Sequence, residues 1–295
     1  MTMTKIRQIQ FLAPAPVVWA QHTGAFAKEG LEVEFTQTLS SDHLGQGLAD
    51  GEWDIGIGVM DNIIAWNADR KAGLAMIAQL ERTNVMSFCV RADCATLADA
   101  ARHPFAVDAT TNGFVLVLYR ALARQGIDWH TCNYDAVGGV KHRFDALIDG
   151  RAVSTILIPP FDAMAQAKGF AILWRGAQIA PAYPGQIVGA RTEWLKKNAD
   201  TAKRYLRALV TANRWGTSPA NADAAIKALV DAKYAPVAAE RLVRDAVPDL
   251  RVSLPGWEEI ASLRRECGLM PDPAPTPQTI IDEAALLAAI AELKG

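Results

Sequence analysis

His43-Leu-Gly-Gln-Gly-Leu-Ala-Asp-Gly-Glu-Trp-Asp-Ile-Gly-Ile-Gly-Val-Met-Asp-Asn-Ile-Ile-Ala-Trp66 reads as one structural unit. A short helix ends at Asp50-Gly51, an apolar strand runs from Trp53 to Met60, a loop holds Asp61 and Asn62, and a second helix begins at Ile63. The unit recurs. His142-Arg-Phe-Asp-Ala-Leu-Ile-Asp-Gly-Arg-Ala-Val-Ser-Thr-Ile-Leu-Ile-Pro-Pro-Phe-Asp-Ala-Met-Ala165 repeats helix, Asp149-Gly150 stop, apolar strand, loop and helix in step, 99 residues on (142 minus 43). Self-similarity of this kind predicts two similar α/β units. In each, the loop after the strand (Met60-Asp61-Asn62, then Pro159-Pro160-Phe161) falls at the carboxyl end of a sheet, where open α/β sheets bind ligands. Two such units facing each other enclose a cleft that can close about a hinge.

The flanking sequence extends both units. Ile6 to Leu12, Leu31 to Thr38 and Leu74 to Leu80 carry strand patterns, with an amphipathic helix from Pro16 to Glu29 closed by Gly30. The pattern restarts with a strand at Phe105 to Asp108 and an apolar helix from Phe114 to Gln125, then a strand at Ala171 to Trp174. Strands separated by helices predict parallel sheets covered by helices. After Ile187 to Ala190 the chain reads as helical, interrupted by an extended stretch from Pro271 to Pro277 and closed by a helix from Ile280 to Leu293. The expected lobes are residues 1–88 plus 187–295, and residues 89–186.

Composition agrees with such a chain. Its 295 residues suggest about two domains. Lys plus Arg number 30 against 32 Asp plus Glu, a net charge of -2 without basic blocks, which argues against nucleic acid or an anionic membrane surface as partner. No apolar run is long enough to span a membrane. Cys89, Cys94, Cys132 and Cys267 lack metal-site spacing and are expected as free thiols. No metal or other cofactor is expected. The first apolar stretch alternates with polar residues, a strand pattern rather than a secretion signal. As written, the chain is therefore expected in the cytoplasm, or in the periplasm if the native start differs.

Phe26-Ala-Lys-Glu-Gly-Leu-Glu-Val-Glu34 and Leu48-Ala-Asp-Gly-Glu-Trp-Asp-Ile-Gly56 resemble the F-x-K-E-G-L-x-V and A-L-x-x-G-x-x-D-x-G stretches of type II periplasmic binding proteins. Ala146-Leu-Ile-Asp-Gly150, Ile158-Pro-Pro-Phe161, Tyr183-Pro-Gly185 and the segment Tyr205 to Trp215 agree with the second lobe of that family and its return to the first. The group resembled binds nitrate, taurine, sulfonates and thiamine-pyrimidine precursors, and the likeness covers roughly residues 6 to 250. It implies an α/β, two-lobed fold with an interlobe cleft and a helical C-terminal part. It also implies a solute-binding role beside an ABC transporter permease if the chain is exported. Two features depart from the pattern. Ser154-Thr155 stands where the second-lobe strand usually carries Asp. Val59-Met-Asp-Asn62 stands where the thiamine-pyrimidine synthase of this group has its sacrificed histidine, and the iron-handling cysteine motif is absent.

Candidate site residues follow from the loops. Ser41 and His43 lie in a loop that caps a short helix, where free N–H groups can hold an anion. Thr110, Thr111 and Asn112 offer hydroxyl and amide groups at the start of the apolar helix. Asp61 and Asn62 start another helix at the switch point, and a raised pKa would make Asp61 a general base. Pro160 and Phe161, facing them and joined by Trp19 and Tyr183, would sandwich a flat ring. Gly139 belongs to a flexible stretch leading into Lys141, His142 and Arg143, one of which could grip an acidic ligand. His22 reads as a surface or satisfied histidine. No nucleophile elbow, P-loop, zinc-protease helix or dinucleotide fingerprint occurs. The expected function is binding of a small organic acid or flat heteroaromatic compound. The rival is an enzyme on the same scaffold, a cofactor-independent decarboxylase or dehydratase using Asp61 or His43 to move protons. Phthalate decarboxylases and the chorismate dehydratase are similar in fold.

Overall fold

The computed structural model describes residues 3–111 and 113–294. Ten strands make two five-stranded sheets. β1 (Thr4–Gln10), β2 (Leu31–Gln37), β3 (Ile55–Val59), β4 (Leu74–Gln79) and β10 (Gln186–Arg191) form the first, in the order β2-β1-β3-β10-β4. β5 (Ser87–Val90), β6 (Phe105–Val107), β7 (Tyr134–Ala136), β8 (Ser154–Leu157) and β9 (Ala171–Arg175) form the second, in the order β7-β6-β8-β5-β9.

The two orders are the same order. β3 and β8, the strands of the repeat, both hold the central place. The helices before them, Ser41–Asp50 and Val140–Ile148, both run into glycines in the left-handed region, Gly51 at φ 78° and Gly150 at φ 74°. That conformation is open to glycine and strained for other residues, so each Asp-Gly pair stops its helix at the same point.

The sheets are mixed, not purely parallel as expected. β10 runs antiparallel to β3 and β4, and β5 antiparallel to β8 and β9. The reason is the path of the chain. β4 ends on the side where the carboxyl ends of β1, β2 and β3 lie, and the chain crosses from there through residues 80–86. It therefore enters β5 from that same side and must run the other way. The return through residues 176–185 does the same to β10. The strands β5 and β7, short and set between loops, carry no pattern that the sequence reading picked up.

Each sheet is covered on both faces, which explains strands such as β4 whose residues are all buried. On one face of the first sheet, Val17, Val18 and Trp19 pack with Tyr205, Leu206 and Leu209 of the helix Ala199–Thr217. The first helix is broken where one continuous helix was expected: Gly24 at φ 66° separates Ala15–His22 from Ala25–Lys28. The last helix is also divided, into Pro277–Ile280 and Ala284–Glu292, because Ile281 pairs with Met76 of β4.

The helix Leu254–Glu266 holds both units. Its Trp257, Ile260 and Leu263 join a core that includes Ile63 and Trp66 from the first sheet's helices and Leu118 and Leu122 from the second's. Its Glu259 and Glu266 bind Arg120 on the helix Val115–Arg124, Glu266 Oε1 at 2.7 Å. Its Arg264 binds Asp61 on the helix Met60–Arg70 at 2.8 Å. Grouping residues 187–295 with the first lobe does not anticipate this bridging helix.

Candidate functional site

A cleft with an empty volume of about 630 Å³, counted to its open mouth, lies between the sheets. Phe11 and Leu12, just past β1, and Gly58 and Val59, at the end of β3, come from one sheet. Asp108, just past β6, and Ile158, just past β8, come from the other. Asn84 comes from the first chain crossing, and Gln186 opens β10 just after the second. This is the crevice at the carboxyl ends of open α/β sheets, doubled.

Arg143 is its chemical centre. The side chain is 4% exposed, in the first turns of the helix Val140–Ile148. Nη1 donates to the Ile156 carbonyl at 2.6 Å, and this is the side chain's one hydrogen bond among the described residues. Nε has no partner. The guanidinium stands 5.6 Å from the centroid of the Phe114 ring, a favourable cation–π placement. Burial works against its charge and lowers its pKa, opposed by the nearby Asp108 carboxylate. Burial pushes the Asp108 carboxyl above its usual range, against Arg143, with Asp42 adding to the rise and His142 opposing it.

The remaining lining is apolar or amide. Asn62, 4% exposed, donates from Nδ2 to Ser41 Oγ at 3.3 Å, and its buried Oδ1 has no partner among the described residues. Phe114 meets Tyr183 edge-on at 6.1 Å between ring centroids. Tyr183 is buried, its hydroxyl has no partner among the described residues, and burial holds that hydroxyl well above its usual pKa. An unpaired guanidinium nitrogen and an unpaired amide oxygen in one cleft are costly to bury, at about 1–3 kcal/mol each, unless something fills them.

A family model described as the NMT1-like family matches residues 2–230. The chain belongs to that family. No curated protein matches it by sequence. Solved structures share the fold at low identity. The alkanesulfonate-binding protein of Xanthomonas axonopodis pv. citri, bound to MOPS, is 15% identical, with 98% of each chain covered and a TM-score of 0.72. The periplasmic nitrate-binding protein of Synechocystis PCC 6803 is 16% identical, covering 99% of this chain and 89% of that one, with a TM-score of 0.75. A desulfurization enzyme, DszB, is 14% identical, covering 98% and 99%, with a TM-score of 0.71. The fold of this NMT1-like chain is the type II periplasmic-binding-protein fold that the sequence predicts.

Of the residues singled out in the sequence, Asn62 and Gly139 line the cleft. Ser41 supports Asn62, and Tyr183 supports Phe114. Asp61 lies next to the lining but is committed elsewhere. Its Oδ1 accepts from Arg264 at 2.8 Å and its Oδ2 from the Gly113 N–H at 2.5 Å. Burial raises its pKa against the pull of Arg264, yet with both oxygens engaged it is a structural carboxylate, not the open base imagined.

His43 is exposed, its Nδ1 3.2 Å from Thr38 Oγ1, and does not line the cleft. Trp19 is a correction: it is fully buried in the core, its Nε1 donating to the Ala225 carbonyl at 3.1 Å. Phe161 is another, packing on Phe144 at 5.2 Å in a separate cluster over the second sheet. Pro160 precedes it at the helix start and is likewise not in the lining. Thr110 and Thr111 are exposed outside the cleft, Thr110 accepting from the Tyr119 hydroxyl through its carbonyl at 2.9 Å. Asn112 lies outside the described residues.

Phe11, Asn84, Asp108, Phe114 and Gln186 escaped the sequence reading. Arg143 was only one of three basic groups considered together. Its signal was available: an arginine at a helix start where the facing helix of the repeat, on the same 99-residue offset, has Leu44. Among the described residues no cluster of three His, Cys, Asp or Glu is placed to hold a metal ion. No described helix is long and apolar enough to cross a membrane.

Proposed function

We propose that this chain is a solute-binding protein that takes a small organic anion with an apolar or flat body into the cleft between its sheets. Arg143 grips the acid group through the guanidinium N–H groups that the Ile156 carbonyl leaves free. Phe11, Phe114, Val140 and Ile158 enclose the body, and the amides of Asn62, Asn84 and Gln186 orient it. The single observation that carries the reading is a nearly fully buried guanidinium with one backbone hydrogen bond, in a cleft whose lining is apolar and amide apart from the Asp108 carboxyl group beside it. The anions in the names of the sulfonate- and nitrate-binding structures fit the same chemistry.

In this reading the crossings at 80–86 and 176–185 form the hinge, and residues 1–88 with 187–295 close against residues 89–186. If the chain is exported, its partner is an ABC transporter permease in the membrane. The rival lyase would need another proton carrier, because Asp61 is tied to Arg264 and Gly113 and His43 is not in the cleft lining. Asp108 is the carboxyl group in the lining.

The test is to incubate the protein with carboxylates, sulfonates and flat heteroaromatic acids, then recover each compound and weigh it by mass spectrometry. A compound retained and recovered at unchanged mass, with retention lost in Arg143→Gln, supports a binding protein. Recovery lighter by carbon dioxide or water, with protein-dependent kinetics, replaces this reading with an enzyme. Retention unaffected by Arg143→Gln removes the anion anchor.

A further inference from the structure

The cleft continues into a second cavity of about 450 Å³. The two share Leu12, Asn84, Ile158 and Gln186, so a ligand can lie across both. The chemistry changes at this boundary. The first cavity holds Arg143, whereas the second is lined by Glu81, Asp245 and Arg241.

Asn84 stands at the junction. It is 9% exposed, lines both cavities, and its side-chain amide has no hydrogen bond among the described residues. An amide that lines both cavities and is not used by the fold is free to donate to and accept from whatever lies across the junction. Gln186 stands beside it with its Nε2 turned to Glu81 Oε1 at 3.2 Å, which leaves its own carbonyl oxygen available.

The second cavity favours hydrogen donors and positive charge. Glu81 is 9% exposed, and among the described residues its carboxyl group accepts only from the Gln186 backbone and side-chain amide. Asp245 accepts from the Thr83 N–H and hydroxyl, with room for a further donor on its oxygens. Arg241 makes no hydrogen bond or ion pair among the described residues and lies in the field of Asp162, Asp245 and Glu81, with Arg175 beyond them. In the cavity wall two carboxyl groups, Glu81 and Asp245, thus stand against one guanidinium, Arg241, while Asp162 is paired with Arg175 at 3.7 Å outside the lining. Tyr234 closes the wall, its hydroxyl donating to the Ala13 carbonyl at 2.8 Å. Neutral burial of Glu81, whose pKa is pushed up to about 7 by desolvation and by Asp245, makes it both donor and acceptor near neutral pH.

We propose that the second cavity is a subsite for the amino or other N–H-bearing end of the ligand, and that the ligand is an amphoteric molecule whose acid end sits on Arg143. The subsite rests on the anion-anchor reading given above and adds the second half of the molecule. Asn84 and Gln186 read its middle. Glu81 and Asp245 accept from its far end.

The experiment compares matched probes by calorimetry on the full chain at neutral pH. The pairs are γ-aminobutyrate against butyrate, δ-aminovalerate against valerate, and para-aminobenzoate against benzoate, with glutarate as a diacid. At least one amino compound is expected to bind about tenfold more tightly than its parent acid, the worth of one good charged hydrogen bond. Glu81→Gln and Asp245→Asn are each expected to move that ratio toward one, and the wild-type ratio stands even if a variant folds poorly. Equal binding of every pair, with the parents bound, overturns the subsite and leaves the anchor. Tighter binding of glutarate also overturns it and gives the second cavity to Arg241. No binding by any member overturns the subsite together with the anchor.

Discussion

Asp61 and Arg264 meet at 2.8 Å although 203 positions separate them, and their side chains are 0% and 5% exposed. The second Asp61 oxygen takes the Gly113 N–H. One carboxylate thus joins three pieces: the helix after β3, the loop before the helix Val115–Arg124, and the bridging helix Leu254–Glu266. The neighbouring residue, Asn62, lines the cleft. The packing that fixes the two sheets therefore also fixes the place of a cleft amide.

Removing one partner of this pair is expected to be costly. Asp61→Asn leaves the Arg264 charge buried with only neutral acceptors, the Leu269 carbonyl and one amide oxygen, and turns an amide N–H toward either Arg264 or the Gly113 N–H. Breaking a buried pair in this way costs about 3–5 kcal/mol, because an uncompensated charge stays buried. The double variant Asp61→Asn, Arg264→Met removes both charges and is expected to lose clearly less than the sum of the singles. Urea unfolding of the four proteins checks it. Strict additivity would mean that the two residues do not couple.

Arg143 is expected to behave in the opposite way. Its charge is buried with one hydrogen bond, so the fold bears a cost that a ligand offsets. Arg143→Met keeps the apolar stem and removes the charge. The unliganded protein is expected to be as stable or up to about 1 kcal/mol more stable, roughly 2–4 °C in Tm, while acid binding is lost. A thermal unfolding series with and without a bound acid checks both halves. A fall in Tm of more than about 5 °C would assign Arg143 to the framework instead.

The fold was legible for a physical reason. Asp50-Gly51 and Asp149-Gly150 stop equivalent helices through the same left-handed glycine, and the period follows from that. Burial order is less visible. Trp19 and Phe161 carry the same apolar rings as Phe11 and Phe114, and nothing local separates a ring in a core from a ring in a cleft. The partner of Asp61 lies 203 positions away, so sequence could show a helix-start carboxylate but not that it was already occupied. Arg143 was legible as a basic group, whereas its isolation depends on Ile156, Phe114 and Asp108 folding around it.

Gly139 couples the two sheets directly. Its N–H donates to the Leu39 carbonyl at 3.1 Å, and a Cβ added at Gly139 would stand 2.6 Å from that same oxygen. Leu39 follows β2 of the first sheet and Gly139 opens the helix before β8 of the second. Gly139→Ala is therefore expected to hold the units apart there, since backbone yields less readily than a flexible side chain. Ligand affinity is expected to fall about tenfold or more, with small-angle scattering showing a larger radius in the presence of ligand than wild type shows. Unchanged affinity and radius would mean that this contact gives way without moving the cleft.

Glu81 predicts how stability depends on pH. Its carboxyl is raised from 4.5 to about 7, first by desolvation and then by Asp245, while the Gln186 amides and Arg241 oppose the rise. The folded protein therefore keeps a proton between about pH 4.5 and 7 that the unfolded chain has released. More protons on the folded side mean that stability falls as pH rises through this window. The total change is on the order of 3 kcal/mol for an isolated group with that shift. Asp245 is raised as well, chiefly by burial, and contributes with the same sign above its usual value of 3.8. Glu81→Gln removes its titration and is expected to reduce the slope, leaving the parts due to Asp245, Asp108 and Asp61, whose carboxyls burial also raises. Denaturant unfolding of both proteins at half-unit steps across the window checks it. A wild-type curve that rises with pH there, or a slope that survives Glu81→Gln intact, would place the proton on another group.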